Sequence, residues 1–306
     1  MKQIVPLHQM LAHAHTNGYA VGSFSPRSIL LIEPIIKAAI ETDSPVLIQV
    51  SQKELDRHAL ELSEFAKAFH RAIETLNPLV PVGLHLDHTK DLETIRKAIG
   101  CGFTSVMIDA SEFPYEKNSE ITKKVVILAH HRGVDVEAEL GRIGTTDYVE
   151  TDEVNTQYTD PAEAIQFIKA CQIDALAVSV GTSHGVYHTQ GPTISLPIIE
   201  AINKEISTPL VLHGGSGVPK ELLHHAITME QGGISKVNIA TDIELCMHDA
   251  LHLSEHLTQS QLNSLSSLQK QDAQDAVRKL VAEKMQYFVR SGGWGRKALI
   301  DLGILQ

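Results

Sequence analysis

Residues 80–109 read VPVGLHLDHTKDLETIRKAIGCGFTSVMID, and the order of patterns in that stretch decides the fold. An apolar run, Val80–Leu86, gives way to polar punctuation and then to Asp91–Ile99, where Leu92, Ile95, Ala98 and Ile99 recur at helical spacing. A second apolar run, Thr104–Ile108, closes the unit. Runs that are apolar throughout suit strands of a parallel sheet covered on both faces, whereas a half-exposed strand would alternate. The local reading is strand, helix, parallel strand. Asp87, His88 and Asp109 fall just where the two strands end.

The same unit recurs outward in both directions as a pattern, without any repeat of sequence. Further apolar runs stand at Tyr19–Phe24, Pro45–Val50, Val134–Ala138, Ala175–Val180, Pro209–Leu212 and Lys236–Ala240. Between them lie helical patterns at Leu30–Thr42, Leu60–Thr75, Asn118–His131, Pro161–Cys171, Leu196–Ile206 and Lys220–Glu230. Strand alternating with helix about eight times is the signature of a (β/α)8 TIM barrel. A doubly wound open sheet would carry a glycine-rich fingerprint after its first strand, and Gly22 alone is not one. The chain is therefore read as one barrel domain over 1–306, with the barrel at about 1–250 and an appended C-terminal helical segment at about 251–306. In that segment Leu251–Gln274 is polar and Asp275–Phe288 resumes a helical period; Gly292-Gly293-Trp294-Gly295 reads as a flexible turn.

Composition narrows the function. A content of 43% hydrophobic and 21% charged residues is that of an ordinary globular protein. A net charge of −11 argues against a nucleic acid or an anionic membrane as partner, since both need a basic footprint. It leaves a phosphorylated ligand open, because backbone amides and a metal ion hold phosphate locally. Cys101, Cys171 and Cys246 stand far apart, which suits a reducing compartment better than disulfides or a thiolate metal site. No signal peptide is visible and no segment approaches the ~18–20 apolar residues of a membrane span, so a cytoplasmic location is expected.

Catalytic groups of a TIM barrel come from the C-terminal ends of its strands. Here the third strand ends Asp87-His88, the fourth Asp109, and the fifth Glu137-Ala138-Glu139. The sixth ends Gly181-Thr182-Ser183-His184-Gly185, the seventh His213-Gly214-Gly215-Ser216-Gly217, and the eighth runs from Asn238 to Thr241-Asp242. One histidine at a strand end is ordinarily structural, and His8, His13, His15, His224, His225, His248, His252 and His256 read as surface or helix residues. Three at the same end of three strands, with carboxylates between, suit a catalytic zinc site, so His88, His184 and His213 are the expected ligands. The glycines after His213 either permit a tight turn or expose N–H groups as an anion nest, to which Ser216 adds a hydroxyl; its neighbours Gly185 and 238–242 favour the nest.

At this point the sequence resembles the class II fructose-1,6-bisphosphate and tagatose-1,6-bisphosphate aldolases, roughly from Tyr19 to Asp242. The matching stretches are LHLDH (84–88), GFTSVMIDAS (102–111), VEAELGRIG (136–144), DALAVSVGTSHGVY (174–187), PLVLHGGSGVP (209–219) and SKVNIATD (235–242). The resemblance implies a zinc-dependent aldolase that reversibly cleaves a ketose (1,6-bis)phosphate, such as fructose or tagatose 1,6-bisphosphate, to dihydroxyacetone phosphate and an aldehyde. It implies His88, His184 and His213 as ligands of one catalytic Zn²⁺, with an additional monovalent cation entertained beside it. It implies Asp87 as the acid/base for the C4 hydroxyl, and Asp109 and Glu139 as carboxylates of an inner metal position. Ser51, Gly185, Gly214, Gly215, Ser216, Asn238, Ala240 and Thr241 fall on substrate- and phosphate-binding positions. A homodimer or homotetramer is implied as well.

The chain also departs from that pattern. Ser25-Pro26-Arg27 stands where the family's first strand ends in Asn, and His188 replaces a lysine. The loop after Gly144 reads Thr145-Thr146-Asp147 in place of Gly and a glutamate base, which makes Asp147 the expected second catalytic group, with Glu150, Asp152 and Glu153 as substitutes. Gln231-Gly232 is a small insertion before the eighth strand. In the cleavage direction a Zn²⁺ chelated by the C2 carbonyl and C3 hydroxyl would act as Lewis acid, and no lysine ends the sixth strand to form a Schiff base. Two rival readings are a catalytically weak or non-enzymatic sugar-phosphate-binding subunit of an aldolase complex, and a metal-dependent hydrolase. The second is disfavoured because the first strand carries neither His nor Asp.

Overall fold

The computed structural model describes residues 3–145, 157–185, 187, 191–253 and 255–306. Helix α1 (Leu7–Asn17) leads into β1 (Val21–Phe24), α2 (Ile32–Thr42), β2 (Val46–Ser51), α3 (Gln52–Arg57) and α4 (Leu62–Leu76). The chain continues through β3 (Val82–Thr89), α5 (Leu92–Gly100), β4 (Ser105–Ile108), α6 (Tyr115–His130) and β5 (Asp135–Leu140). A short β6 (Gly144–Thr145) precedes α7 (Pro161–Cys171), β7 (Ala175–Val178), a short β8 (Ser183–His184), α8 (Leu196–Asn203), β9 (Leu210–Leu212) and α9 (Lys220–Ile227). β10 (Ile234–Ile239) and α10 (Thr241–Leu251) complete the alternation. Helices α11 (Gln259–Ser264), α12 (Ser267–Glu283) and α13 (Gly295–Asp301) follow.

Eight of the strands close into a parallel barrel in the order β1-β10-β9-β7-β5-β4-β3-β2, while β6 and β8 pair separately. The seam joins first strand to last, Val21 beside Lys236 and Phe24 beside Ile239. Side chains of a strand alternate between faces, and the two hydrophobic clusters divide along that alternation. Leu47, Met107, Ala175, Ala177 and Val211 point into the barrel and meet Leu7, Met10 and Leu11 of α1, which closes one mouth. Val46, Ile48 and Val50 point outward into the helix layer, where Phe65, Phe69 and Ile73 of α4 form a stripe at helical spacing. Local signals set helix starts: Asp91 accepts from the Glu93 and Thr94 amides, and Asp160 accepts from Glu163 ahead of Pro161.

Two helices were not anticipated from the sequence. α1 is short and histidine-rich, and α3 begins with a capping box between Ser51 and Glu54 directly at the end of β2. The tail also differs from its expected outline. α12 starts at Ser267, eight residues before Asp275, because Ser266 and Gln269 cap it reciprocally. Its surface is polar because only Ala273, Val277 and Val281 are buried, on the side facing α2 and α10. The glycine-rich run after it is a tight turn held in place rather than a loose one. Gly293 donates its amide to Thr42 and Gly295 to Asp43, while Trp294 stacks on Tyr19 at 5.3 Å between ring centroids. A Cβ at Gly295 would stand 2.4 Å from Val80 Cγ1, so glycine is needed for the close approach. Among the described residues no helix is long and apolar enough to cross a membrane.

Candidate active site

The mouth opposite α1 gathers the polar strand ends. A register shift between Leu86 and Thr89 bulges β3, and His88 takes a positive φ of 31° there, a conformation unusual for a non-glycine residue. The bulge turns the imidazole across the mouth toward rings delivered by β8 and by the end of β9. Ring centroids lie 4.8 Å apart for His88–His184, 4.4 Å for His88–His213 and 5.7 Å for His184–His213. One ring nitrogen from each falls within 4.8 Å of the others, which puts the three predicted ligands in one place. His88 also forms a second group with Asp109 and Glu139: its Nδ1 is 3.0 Å from Asp109 Oδ2 and 4.0 Å from Glu139 Oε2.

Hydrogen bonding shows which nitrogens face the middle. His213 Nε2 donates to Glu137 Oε1 at 2.9 Å, and Glu137 Oε2 accepts from Lys236 Nζ at 2.8 Å, all of it fully buried. That leaves His213 Nδ1, like His88 Nε2, buried with no hydrogen-bond partner among the described residues. A carboxylate behind a histidine fixes its tautomer and aims the other nitrogen, as behind metal-bound imidazoles. Electrostatics points the same way. Burial opposes a charge on His88, yet Asp87, Asp109 and Glu139 hold it well above the usual imidazole range, so the spot favours positive charge. Burial, then the neighbouring Asp109, raises Glu139 to about 8. The donor set of imidazoles and carboxylates, with orphaned nitrogens facing one another, fits a divalent transition-metal ion.

Asp87 sits beside this group in a cradle of donors. Gln49 Nε2 reaches its Oδ2 at 3.0 Å, and Asn238 Nδ2 reaches its two oxygens at 3.1 and 3.2 Å. Burial works against ionisation, but His88, the nearby His85 (Nε2 3.7 Å from Oδ1) and the charge of Lys236 outweigh it and keep Asp87 well below the ordinary carboxylate range. Glu137 was read as a polar group at the end of the fifth strand, but Gln49, His85 and Lys236 were not singled out from sequence. Their signal was present: charged or amide residues inside otherwise apolar strands, with Gln49 and Lys236 at the barrel-facing alternation.

A pocket of about 470 Å³, open to solvent, joins Asp87, His88 and His184 to Ser51, Gly185, Gly214, Gly215, Ser216, Asn238, Ala240 and Thr241. The glycines keep backbone close to backbone. A Cβ on Gly214, at φ 66°, would stand 2.3 Å from the Ser183 carbonyl oxygen, and one on Gly215 2.7 Å from that of Asn238. Ser216 Oγ accepts from the Asp242 amide at 3.1 Å, which leaves its own hydrogen to donate. Thr241 opens α10, so the positive end of that helix dipole faces the pocket. Asn238 turns its amide to Asp87, and its Oδ1 has no hydrogen-bond partner among the described residues. Ser51 lines the pocket while its hydroxyl caps α3.

Among the departures, Ser25 and Arg27 lie together at the end of β1, while Gly232 packs against His15 of α1 at the opposite mouth. Ser25 Oγ donates to Glu54 Oε2 at 2.6 Å, Arg27 Nε donates to Glu54 Oε1 at 2.7 Å, and Arg27 also pairs with Glu244. Arg27 and Glu54 thereby join the pocket wall. Asp109, Glu139, His88, His184 and Ser51 also line a second opening, with Lys53, Lys90 and Arg142 around it. Asp147, Glu150, Asp152, Glu153 and His188 lie outside the described residues.

The chain is similar to known proteins. A family model described as fructose-bisphosphate aldolase class-II matches residues 5–293. A sulfofructosephosphate aldolase from Alkalicoccus urumqiensis is 40% identical over 243 residues, covering 79% of this chain and 82% of its own. A fructose-bisphosphate aldolase from Helicobacter pylori is 35% identical over 308 residues, covering 92% and 97%. Among solved structures, the YdjI aldolase from Escherichia coli K12 superposes with a TM-score of 0.79 at 29% identity, over 94% of this chain and 98% of that one.

Proposed function

Because the chain belongs to the class II fructose-bisphosphate aldolase family, a metal-dependent family of lyases, we propose that it reversibly splits a ketose 1-phosphate with a second anionic group at C6, yielding dihydroxyacetone phosphate and an anionic aldehyde. The observation that carries this reading is the convergence of His88 Nε2 and His213 Nδ1, both buried and without hydrogen-bond partners among the described residues, beside the Asp87 carboxylate. His88, His184 and His213 would hold a Zn²⁺, with Asp109 and Glu139 as an alternative inner set. That ion would supply Lewis-acid polarisation of the substrate carbonyl and stabilise the negative charge that cleavage leaves on carbon.

The residues would do the rest. The C1 phosphate sits against Gly185, Gly214–Ser216 and the first amides of α10, where Ser216 Oγ–H and Thr241 donate to it. In the cleavage direction Asp87, ionised and facing the pocket, takes the proton of the C4 hydroxyl. The C3–C4 bond breaks as that oxygen becomes a carbonyl, and the electron pair remains on C3. A loop acid returns a proton to C3, and Asp147 is assigned that part. Lys53, Lys90 and Arg142 around the adjoining opening support a negative charge on the aldehyde portion.

A coupled assay for released dihydroxyacetone phosphate tests the reading. The substrates are fructose and tagatose 1,6-bisphosphates, the corresponding 1-phosphates, and sulfofructose phosphate, the compound in the name of the 40% identical relative. Turnover of at least one bis-anionic ketose, abolished by a chelator and restored by Zn²⁺, is expected. A folded, zinc-loaded chain inert toward all of them would overturn it.

A further inference from the structure

A second histidine–carboxylate cluster lies outside the mouth. Glu244 and His248 stand four residues apart on α10, hence on one face of the helix. His252, in the left-handed conformation at φ 54°, ends α10 and turns the chain back, so that His256 returns to the same face. Its Nδ1 comes within 2.5 Å of Glu244 Oε1, and its ring centroid lies 6.0 Å from that of His248. One ligand atom each from Glu244, His248 and His256 falls within 4.8 Å of the other two. His58 flanks the group, its ring 6.3 Å from His256.

The hydrogen bonds leave this cluster short of donors. His58 Nδ1 donates to the Leu257 carbonyl at 2.9 Å, which places the lone pair on Nε2. That Nε2 and His248 Nε2 are both buried and have no partner among the described residues, on side chains only 2% and 6% exposed. Leaving a buried polar group without a partner is destabilising. Protonation is a poor remedy, since burial lowers both imidazoles and the Arg27 charge adds to it. The surrounding fixed charges are Glu54 and Glu244 against the single Arg27. Neutral imidazoles in a net negative setting suit a divalent ion better than a proton.

We propose that Glu244, His248 and His256 form a second site for a divalent transition-metal ion, with Zn²⁺ the best match to two imidazoles and one carboxylate. Bonds of about 2.0–2.2 Å require only a modest inward shift of these side chains. The ion fastens the segment after α10 to the helix. Through Glu244 it also fixes the Arg27–Glu54 pair that forms part of the pocket wall.

The test is elemental analysis of the full chain, stripped with chelator, reloaded with Zn²⁺ and gel-filtered into metal-free buffer. Wild type is expected to retain about two equivalents, and His256→Ala and His248→Ala each about one. His213→Ala also retains about one, and His213→Ala/His256→Ala none. His256 is the gentler variant because it sits on a partly exposed segment, and circular dichroism confirms its fold. An unchanged zinc count in folded His256→Ala overturns the proposal. A count unchanged by His213→Ala but lowered by His256→Ala would leave this site standing and remove the active-site assignment instead.

Discussion

The metal side and the aldehyde side of the mouth are built from different kinds of chain. On the metal side the groups hang from or directly follow barrel strands: Asp87 and His88 on β3, Glu137 and Glu139 on β5, His213 at the end of β9, Lys236 and Asn238 on β10. Each is fixed by a neighbour, as His213 is by Glu137 and Asp87 by Gln49 and Asn238. Away from them the groups lie outside the barrel strands: Ser25 and Arg27 follow β1, with Arg27 on the wall of the phosphate pocket, and the proposed aldehyde side draws on Lys53 in α3 and on Asp147, in the sequence between β6 and α7. There the family's pattern is broken, while on the strands it is intact. On the proposed reading, the metal chemistry is anchored in the rigid sheet, and substrate choice is left to segments that can change without disturbing it.

The largest expected effect comes from comparing one acid of each side. Asp87→Asn keeps the volume but removes the proton acceptor and turns an amide toward donors that expect a carboxylate. Turnover should fall ~10²–10⁴-fold, the usual worth of general acid–base help, with zinc content unchanged. Asp147→Ala should lower turnover by a similar order while barely moving KM. Should Asp147→Ala turn over like wild type, the loop acid is one of Glu150, Asp152 or Glu153, and the aldehyde side has been mapped wrongly.

A smaller effect should separate phosphate binding from metal binding within the pocket. Ser216→Ala deletes one donor to a charged oxygen, worth about 1.5–3 kcal/mol. KM for the phosphorylated ketose should then rise by roughly an order of magnitude or more, with retained zinc as in wild type. Equal losses of zinc and affinity would place Ser216 in the metal's support instead.

The same contrast explains what the sequence made legible. The barrel could be read because its strands are short, apolar and evenly spaced, and His88, His184 and His213 because each ends such a run. Gln49 and Lys236 were hidden by that very regularity, since a polar residue within an apolar run announces neither its face nor its partner; Glu137 was legible as a polar strand end, but not its bonds to His213 and Lys236. α3 was hidden because six residues carry too little periodicity, although its Ser51–Glu54 capping box was written in the chain. The pairing of Arg27 with both Glu54 and Glu244 spans 217 residues and exists only once the barrel has closed.

The finest probe of the metal side is Glu139. Its carboxyl is raised from 4.5 to about 8, first by burial and then by Asp109. Between those values the folded chain holds a proton that the unfolded chain has released, so raising the pH favours unfolding. The loss is spread over pH 4.5 to about 8 and is complete above it. His88, also raised, acts in the same direction above its ordinary range, whereas the lowered His85 and His213 act oppositely below theirs. Subtracting the melting temperature of Glu139→Gln from that of wild type cancels the contributions of His85 and His213 and keeps, of His88, only the part that the Glu139 charge causes. In chelator-treated protein the difference should decline by on the order of several °C between pH 5.5 and 8.5. Adding Zn²⁺ should reduce that slope, because the carboxylate then faces a cation. A difference that stays flat with pH in the metal-free protein would mean that Glu139 is already ionised, and that burial and Asp109 do not hold a proton on it.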